Sequence, residues 1–209
     1  MFDFLDLTTL LYRVPALLIA LTLHEYGHAY VSDSLGDPTP SLMGRLSVNP
    51  LRHLDVMGTM MLVIFGFGWA KPVEINPRYY QDYRRGVLKV AAAGPGMNFF
   101  LCFIAVFLMS AFHHFGLLEM AGYQLLYWIM LYNVWFALFN LIPIPPLDGS
   151  KILAAFLPGD LAYQWEAFNY RYGFFLLMLV VFSGLTGRVL GPLSNGYVEL
   201  CYRISRFIF

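Results

Sequence analysis

Long blocks without charged side chains alternate with short polar segments along this chain. Residues 90–118 and 120–147 contain no Asp, Glu, Lys or Arg. Each block exceeds the roughly 20 residues that an α-helix needs to cross a bilayer. Residues 7–31 and 172–193 are also mostly apolar. The pattern predicts an all-α polytopic membrane protein, a bundle of about four to six transmembrane helices.

The basic residues between these blocks predict an orientation. They are concentrated in residues 32–55, 71–89 and 143–171, and positively charged loops are retained in the cytoplasm. Residues 56–70 join two of these loops. This short stretch contains three glycines and is predicted to be a re-entrant segment. Residues 196–209 have apolar positions at helical spacing and are predicted to form an interfacial helix.

The composition narrows the class of protein. Charged residues make up 12% of the 209 residues and hydrophobic residues 59%, whereas a soluble domain carries about 25% charged residues. Lys and Arg number 13, as do Asp and Glu. The net charge of zero excludes nucleic acid as a partner, because such binding needs a basic surface. Cys102 and Cys201 have apolar neighbours and predict neither a disulfide framework nor a four-cysteine zinc site.

Candidate chemistry begins at the end of the first apolar block, where residues 24–28 read His-Glu-Tyr-Gly-His. Side chains four residues apart share one face of a helix, so His24 and His28 can hold one zinc ion, with Glu25 beside its bound water. A catalytic zinc needs a third protein ligand and an open position. Asp148 is the best-placed acid, because it follows a proline-rich break at the end of an apolar block. A capping or turn aspartate is its alternative role.

These residues resemble the two signatures of the site-2 protease family of intramembrane zinc metalloproteases. The first signature is H-E-x-x-H in a transmembrane helix. The second is an Asn eight residues before an Asp-Gly pair, which here reads Asn140-Leu-Ile-Pro-Ile-Pro-Pro-Leu-Asp148-Gly149. The match runs in order over residues 17–160 and is closest to short prokaryotic members without PDZ-like or nucleotide-sensing modules. Further matching segments are GDPT at 36–39, GRL at 44–46, NPLRHLD at 49–55, GWAKPV at 68–73 and AGPGMN at 93–98.

The resemblance implies a role for the residues of both signatures. His24, His28 and Asp148 are implied as the ligands of one Zn²⁺. Glu25 is implied as the general base on the zinc-activated water. Asn140 can donate an N–H to the developing oxyanion, or instead make an interhelical hydrogen bond.

Two further matching polar residues have open roles. Asn98 lies beside small residues in a predicted helix, where it is either a structural hydrogen-bonding group between helices or a contact to the substrate backbone. His53 occupies a position that recurs in the family. Its role is left open between function and loop packing.

Residues 73–75 are the candidate substrate-binding edge. Val73 and Ile75 alternate with Glu74, a strand-like period of two, and prolines lie on either side. A helical substrate hides its carbonyls in its own hydrogen bonds and must unwind before hydrolysis. An unwound substrate could pair its main chain with this short β-like edge near the active site. A simple surface hairpin is the alternative.

The pattern and the resemblance together predict an intramembrane zinc metalloprotease that forms one catalytic domain, residues 1–209. The expected partners are a transmembrane protein or peptide substrate and the lipid bilayer, and the oligomeric state is not predicted. The expected location is the prokaryotic plasma membrane, with several spans and the active site nearer the cytoplasmic side. Two alternative functions are an inactive relative that serves as a scaffold and a zinc transporter, although the sequence shows no internal repeat.

Overall fold

The computed structural model describes residues 7–55, 57–58, 60, 70–117 and 119–209. Two 3-10 turns, Pro50–Arg52 and Pro77–Tyr79, precede the longest helix. The prediction of an all-α protein is confirmed. The helices are α1 Leu7–Ser34, α2 Thr39–Leu42, α3 Tyr83–His114, α4 Met120–Asn140, α5 Asp148–Phe156, α6 Gly159–Phe182 and α7 Leu185–Ile208.

Helix α3 lies at the centre of the bundle and contacts α1, α4, α5 and α7. It begins after Asp82, whose side chain accepts the backbone N–H of Arg85 at 3.0 Å and so caps the helix. Its buried face packs against α4 and α7 in one apolar cluster formed by Cys102, Ala105, Val106, Met130, Val134 and Cys201. This central position brings α3 into contact with the helix that carries the H-E-x-x-H motif.

The carboxyl-terminal part of the chain departs from the predicted elements. The sequence predicts one span over 172–193 and a separate helix over 196–209, but the structure breaks at Ser183 and Gly184. Gly184 has a φ of 71°, a left-handed conformation that glycine adopts without steric cost. Helices α6 and α7 meet at this break with a bend of 73°. Helix α7 therefore starts at Leu185, eleven residues before the predicted start at residue 196.

Within the described residues, α3 is the one helix that is long and apolar enough to cross a membrane by itself. The bent α6–α7 pair counts as a second candidate if it forms one span. This is fewer than the predicted four to six spans. Helix α1 contains Arg13 and the polar residues at 24–28, which lower its mean hydropathy. The predicted re-entrant segment 56–70 lies mostly outside the described residues.

The predicted β-like edge at 73–75 is not a regular strand, and this prediction is corrected. In the described part of the chain one isolated antiparallel bridge joins Leu54 to Ala70. Farther along, the backbone N–H of Val73 donates to the carboxylate of Glu25 at 3.0 Å instead of to a strand carbonyl. A side-chain acceptor thus takes the hydrogen bond that a β-ladder would need.

A buried carboxylate ties the end of α1 to the segment that precedes α3. Asp37 is fully buried and accepts hydrogen bonds from the Asn76 N–H at 2.7 Å, the Thr39 N–H at 3.0 Å and the Ser32 hydroxyl at 2.8 Å. Burial raises the pKa of Asp37, but these hydrogen bonds outweigh it and hold the pKa below its usual value. The ionised form is therefore the stabilising one.

Replacing this carboxylate is expected to destabilise the protein in a pH-dependent way. Because the folded pKa of Asp37 lies below the unfolded one, its stabilisation is present above the unfolded pKa and is lost as the pH falls through the folded pKa. Asp37→Ala should lower the free energy of unfolding by about 1–3 kcal/mol at pH 7. Thermal unfolding in detergent at pH 7 and at about pH 2.5, well below the ordinary aspartate pKa of about 3.9, measures this. Asp33→Ala is the control, and an equal loss in both variants would contradict the prediction.

Candidate metal centre and active site

Two imidazoles on α1 face α3. His24 and His28 lie one helical turn apart and are 5% and 9% exposed. Nδ1 of His28 lies 2.7 Å from the carbonyl oxygen of Val90, and Nδ1 of His24 lies 2.6 Å from Oδ1 of Asn98. Both partner atoms are acceptors, so each Nδ1 carries the proton and each Nε2 presents a lone pair.

Asp148 approaches the same point from the other side of the bundle. Helix α4 ends at Asn140, and the irregular residues 141–147, three of them prolines, turn the chain so that α5 begins at Asp148. Gly149 permits this close turn, since a Cβ there would lie 2.3 Å from the carbonyl oxygen of Leu141. Prolines end α4 because they lack the N–H that a helix requires.

Three ligand atoms form a compact triangle. Oδ2 of Asp148 lies 3.3 Å from Nε2 of His24 and 3.1 Å from Nε2 of His28, and the two nitrogens are 3.1 Å apart. Tetrahedral zinc with bonds of about 2.0–2.1 Å places its ligand atoms about 3.3 Å apart. Two nitrogen lone pairs and a carboxylate oxygen repel at these distances unless a cation lies between them. The three residues therefore fit a zinc ion.

Helix α3 presents a residue without a side chain to this triangle, Gly94. A Cβ built on Gly94 would lie 2.4 Å from Nε2 of His28 and 2.7 Å from Nε2 of His24. Both nitrogens are the ones that present lone pairs. Gly94 therefore leaves open the space that a metal ion and its ligands require.

Glu25 lies beside the triangle and is not one of its three corners. It is half-buried and lines a cavity of about 120 Å³, together with the three ligand residues. Its Oε2 accepts the Val73 N–H at 3.0 Å. A carboxylate next to a metal centre and open to a cavity is placed to exchange protons with a water or a substrate there.

The other predicted site residues divide into two groups. Asn140, Val73 and Ile75 line the same cavity, while Glu74 is exposed. Nδ2 of Asn140 donates to the carbonyl oxygen of Phe136 at 3.0 Å, so one of its two amide hydrogens is used within its own helix. The alternation predicted for residues 73–75 thus agrees with which of them face the cavity.

Asn98 and His53 lie away from the cavity. Asn98 is fully buried behind His24, a position that agrees with the structural alternative. His53 is 1% exposed, and its Nε2 lies 2.7 Å from the carbonyl oxygen of Ser47. It belongs to the loop that precedes residue 56, in agreement with loop packing.

Sequence reasoning missed four residues that border the site. The Val90 carbonyl holds His28, and Asn133 holds Asn98 at 2.7 Å. Lys151 lines the cavity, with Nζ 4.0 Å from Oδ1 of Asp148. The buried guanidinium of Arg45 donates to the backbone carbonyls of Arg52 and Lys71. An amide in the middle of the uncharged block 120–147 was the available signal for Asn133, whereas a backbone carbonyl leaves no signal in a sequence.

An H-E-x-x-H helix, an aspartate from a second helix and an adjacent free glutamate define the class of zinc metallopeptidases. Known proteins agree with this class. The description "Peptidase family M50" matches residues 116–180. "Putative zinc metalloprotease YwhC" of Bacillus subtilis is 36% identical over 215 residues, covering 100% of this chain and 97% of the relative.

Two more distant relatives have the same kind of name. "Zinc metalloprotease MJ0392" of Methanocaldococcus jannaschii is 27% identical over 147 residues, covering 70% of this chain and 34% of the relative. "Putative zinc metalloprotease Rip2" of Mycobacterium tuberculosis is 32% identical over 146 residues, covering 65% of this chain and 53% of the relative. No solved structure matches the chain.

The chain belongs to peptidase family M50, the site-2 protease family. The predicted resemblance is confirmed, and so is zinc as the cofactor. The family consists of membrane-associated zinc metalloproteases, which places this chain in the same broad class.

Proposed function

We propose that the protein is an intramembrane zinc metalloprotease that hydrolyses a peptide bond within or near a transmembrane segment of another membrane protein. The observation that carries the proposal is the triangle of His24 Nε2, His28 Nε2 and Asp148 Oδ2 beside a cavity that contains Glu25. Three protein ligands with an open fourth position are typical of catalytic zinc, whereas structural zinc has four.

Each residue around the cavity has a distinct task in this proposal. Bound zinc supplies Lewis acidity, which activates water and polarises the scissile carbonyl. Glu25 lies outside the triangle, so it takes a proton from the attacking water and passes it to the leaving amine. Asn140 donates its second amide hydrogen to the carbonyl oxygen that gains negative charge.

A lipid environment is supported by the exposed side chains of α6. Phe174, Phe175, Leu179 and Phe182 are 65–83% exposed, and contiguous exposed apolar surface marks contact with a membrane or another protein. Helix α3 adds a span-length apolar segment. We propose one multi-pass domain over residues 1–209 in a prokaryotic plasma membrane.

The proposed re-entrant path of residues 56–70 is supported by the two ends of this segment. The N–H of Lys71 donates to the carbonyl oxygen of His53 at 2.8 Å, and Leu54 forms the antiparallel bridge with Ala70. A segment whose ends are paired in this way begins and finishes at one depth. Basic residues flank both ends, so this side is the cytoplasmic one in the proposal.

Cysteine labelling tests this topology. Arg52 and Lys71 are exposed, so Arg52→Cys and Lys71→Cys should both react with an impermeant maleimide from the cytoplasmic side. Leu117→Cys, in the turn after α3, should react from the opposite side. The native Cys102 and Cys201 are buried and should stay unlabelled. Labelling of positions 52 and 71 from opposite sides would contradict the re-entrant path.

The substrate is proposed to bind in an extended form along residues 73–75. Val73 and Ile75 face the cavity and Glu74 faces away, as expected for extended chain. Backbone groups freed by local unwinding in lipid cost several kcal/mol each unless they are re-paired. Pairing with the main-chain groups of this segment other than the Val73 N–H, which Glu25 holds, supplies such partners next to the metal centre.

Proline substitutions test this binding segment. Val73→Pro removes the N–H that contacts Glu25, and Glu74→Pro removes the next one. Loss of the charge-assisted bond from Val73 to Glu25 corresponds to about 1.5–3 kcal/mol, so cleavage by Val73→Pro should fall about 10- to 100-fold. Loss of a neutral main-chain pair with the substrate at Glu74 corresponds to about 0.5–1.5 kcal/mol, so cleavage by Glu74→Pro should fall about 2- to 10-fold. Val73→Ala and Glu74→Ala keep the N–H and serve as controls. Normal cleavage by both folded, zinc-loaded proline variants would rule out the segment as the binding edge.

The proposed activity is tested with purified protein and a detergent-solubilised transmembrane peptide. A protease cleaves the peptide when zinc is bound, and cleavage should be faster when Gly, Pro or Asn lies near the cut, because such segments unwind more easily. An inactive scaffold gives no product from any of a panel of transmembrane segments. A zinc transporter gives no product either, but it moves zinc into liposomes.

A further inference from the structure

A chain of buried polar groups links the metal centre to a helix that contributes no ligand. Asn133 on α4 and Asn98 on α3 are both fully buried, and His24 on α1 is nearly so. Nδ2 of Asn98 lies 2.7 Å from Oδ1 of Asn133, and Oδ1 of Asn98 lies 2.6 Å from Nδ1 of His24. The chain thus crosses three helices within the apolar core.

The direction of every hydrogen bond in this chain is fixed at its α4 end. Nδ2 of Asn133 donates to the carbonyl oxygen of Ile129 at 2.8 Å, so its Oδ1 faces Asn98 as an acceptor. The two amide hydrogens of Asn98 then go to Asn133 and to the carbonyl oxygen of Ala20 at 3.0 Å. Oδ1 of Asn98 remains to accept from His24.

The orientation of Asn98 decides which nitrogen of His24 carries the proton. With Oδ1 toward the ring, Nδ1 is protonated and Nε2 keeps the lone pair that faces Asp148. A flipped amide would present its NH₂ group to Nδ1 and move the ring proton to Nε2, the atom that a metal needs. The tautomer of His28 does not depend on an amide orientation, because its Nδ1 partner is the backbone carbonyl of Val90, which can only accept.

We propose that Asn133 is a positioning residue for zinc binding. It supplies one of the two acceptors, beside the carbonyl oxygen of Ala20, that hold the amide hydrogens of Asn98 away from His24, and it thereby favours the His24 tautomer that binds metal. Asn133 contacts neither the imidazole nor the cavity, so it acts through Asn98 alone. Replacing a residue of the hydrogen-bond network that holds a metal ligand typically lowers metal affinity by about 10- to 100-fold. The inference rests on the proposed metal centre and is independent of what the protein cleaves.

A purely structural role for Asn133 makes a different prediction. In that case the amide only joins α4 to α3, and its loss lowers stability while the remaining folded protein binds zinc as before. Zinc affinity of the folded protein and the tautomer of His24 therefore separate the two roles. Val134→Ala is the matched control, because Val134 is the next residue of α4, is fully buried in the apolar cluster and belongs to no hydrogen-bond chain.

The experiment uses the full chain in detergent and Zn²⁺ itself as the probe. Zinc affinity is measured by competition with a chelator, and the histidine tautomers of the metal-free protein are read from ¹⁵N shifts, assigned with His24→Gln. Asn133→Leu should weaken zinc binding about 10- to 100-fold and give mixed tautomers at His24 with His28 unchanged. Asn133→Asp, protonated in this apolar setting, keeps an acceptor and a donor and should restore most of the affinity. Val134→Ala should lower the melting temperature and leave zinc affinity unchanged.

Several results would overturn the proposal. One is wild-type zinc affinity with an unchanged His24 tautomer in folded Asn133→Leu, or in Asn133→Ser if the leucine variant does not fold. Another is an Nε2-protonated His24 in the metal-free wild type, which needs no variant at all. If the wild type binds no zinc, the metal centre itself fails, and this is distinguishable from failure of the positioning role.

Discussion

Glu25→Gln is expected to bind one zinc per chain with normal affinity and to lose hydrolysis by about 10²- to 10⁴-fold, the usual contribution of a general base. The reason is the separation of the two functions in the structure. Glu25 lines the cavity and accepts the Val73 N–H, while the ligand triangle is formed by His24, His28 and Asp148. The amide of Gln keeps the shape of the side chain and an acceptor for Val73, but it takes up no proton at neutral pH.

Asp148→Ala is the matched variant with the opposite expectation. It removes one corner of the triangle and leaves two imidazoles, so zinc affinity should fall and activity with it. Metal content after dialysis and cleavage of a transmembrane peptide are measured side by side for both variants. If Glu25→Gln loses zinc while Asp148→Ala retains it normally, the assignment of ligand and base is refuted.

Gly94→Ala is expected to abolish zinc binding although it adds a single methyl group. The new Cβ would lie 2.4 Å from Nε2 of His28 and 2.6 Å from Cε1 of His24, inside the van der Waals radii of both rings. Either α3 moves away or the imidazoles turn out of the triangle. Zinc affinity should therefore fall by more than about 100-fold. This exceeds the loss of about 10- to 100-fold that is typical when a residue hydrogen-bonded to a metal ligand is replaced.

Gly96→Ala provides the control for this effect on the same helix. A Cβ at Gly96 meets nothing within 4 Å, and Ala is about 0.5–1 kcal/mol better than Gly in a helix. This variant should bind zinc normally and melt at the same or a higher temperature. Equal zinc affinity in the two alanine variants would show that α3 does not form the wall of the metal centre.

Site residues that lie close together in the sequence could be predicted, because their spacing matches the period of a helix or of an extended segment. His24 and His28 share a helix face whatever the rest of the chain does. Asp148 was a candidate because prolines must end the preceding helix, and the family resemblance then selected it. The alternation of Val73 and Ile75 around Glu74 predicted extended chain, and Val73 and Ile75 line the cavity, but the sequence did not show that the N–H of Val73 binds a carboxylate instead of a strand.

The remaining features depend on contacts between elements. The partner of His28 is the backbone carbonyl of Val90, which has no sequence signature, and the partner of Asn98 is decided by how α3 and α4 pack. The break at Gly184 lies inside an apolar run, where hydropathy indicates continuity and only the left-handed φ reveals a turn. The four to six spans stay a prediction, since length and mean hydropathy together identify only α3 and the bent α6–α7 pair within the described residues.

A zinc titration of the metal-free protein tests the central claim most directly. The purified chain is stripped of metal, and cleavage of a detergent-solubilised transmembrane peptide is followed as zinc is added. The account predicts no cleavage without zinc, a linear rise that ends at one zinc per chain, and a cut inside the transmembrane segment by mass spectrometry. Cleavage by the metal-free protein, or no cleavage when one zinc is bound by His24, His28 and Asp148, would contradict it.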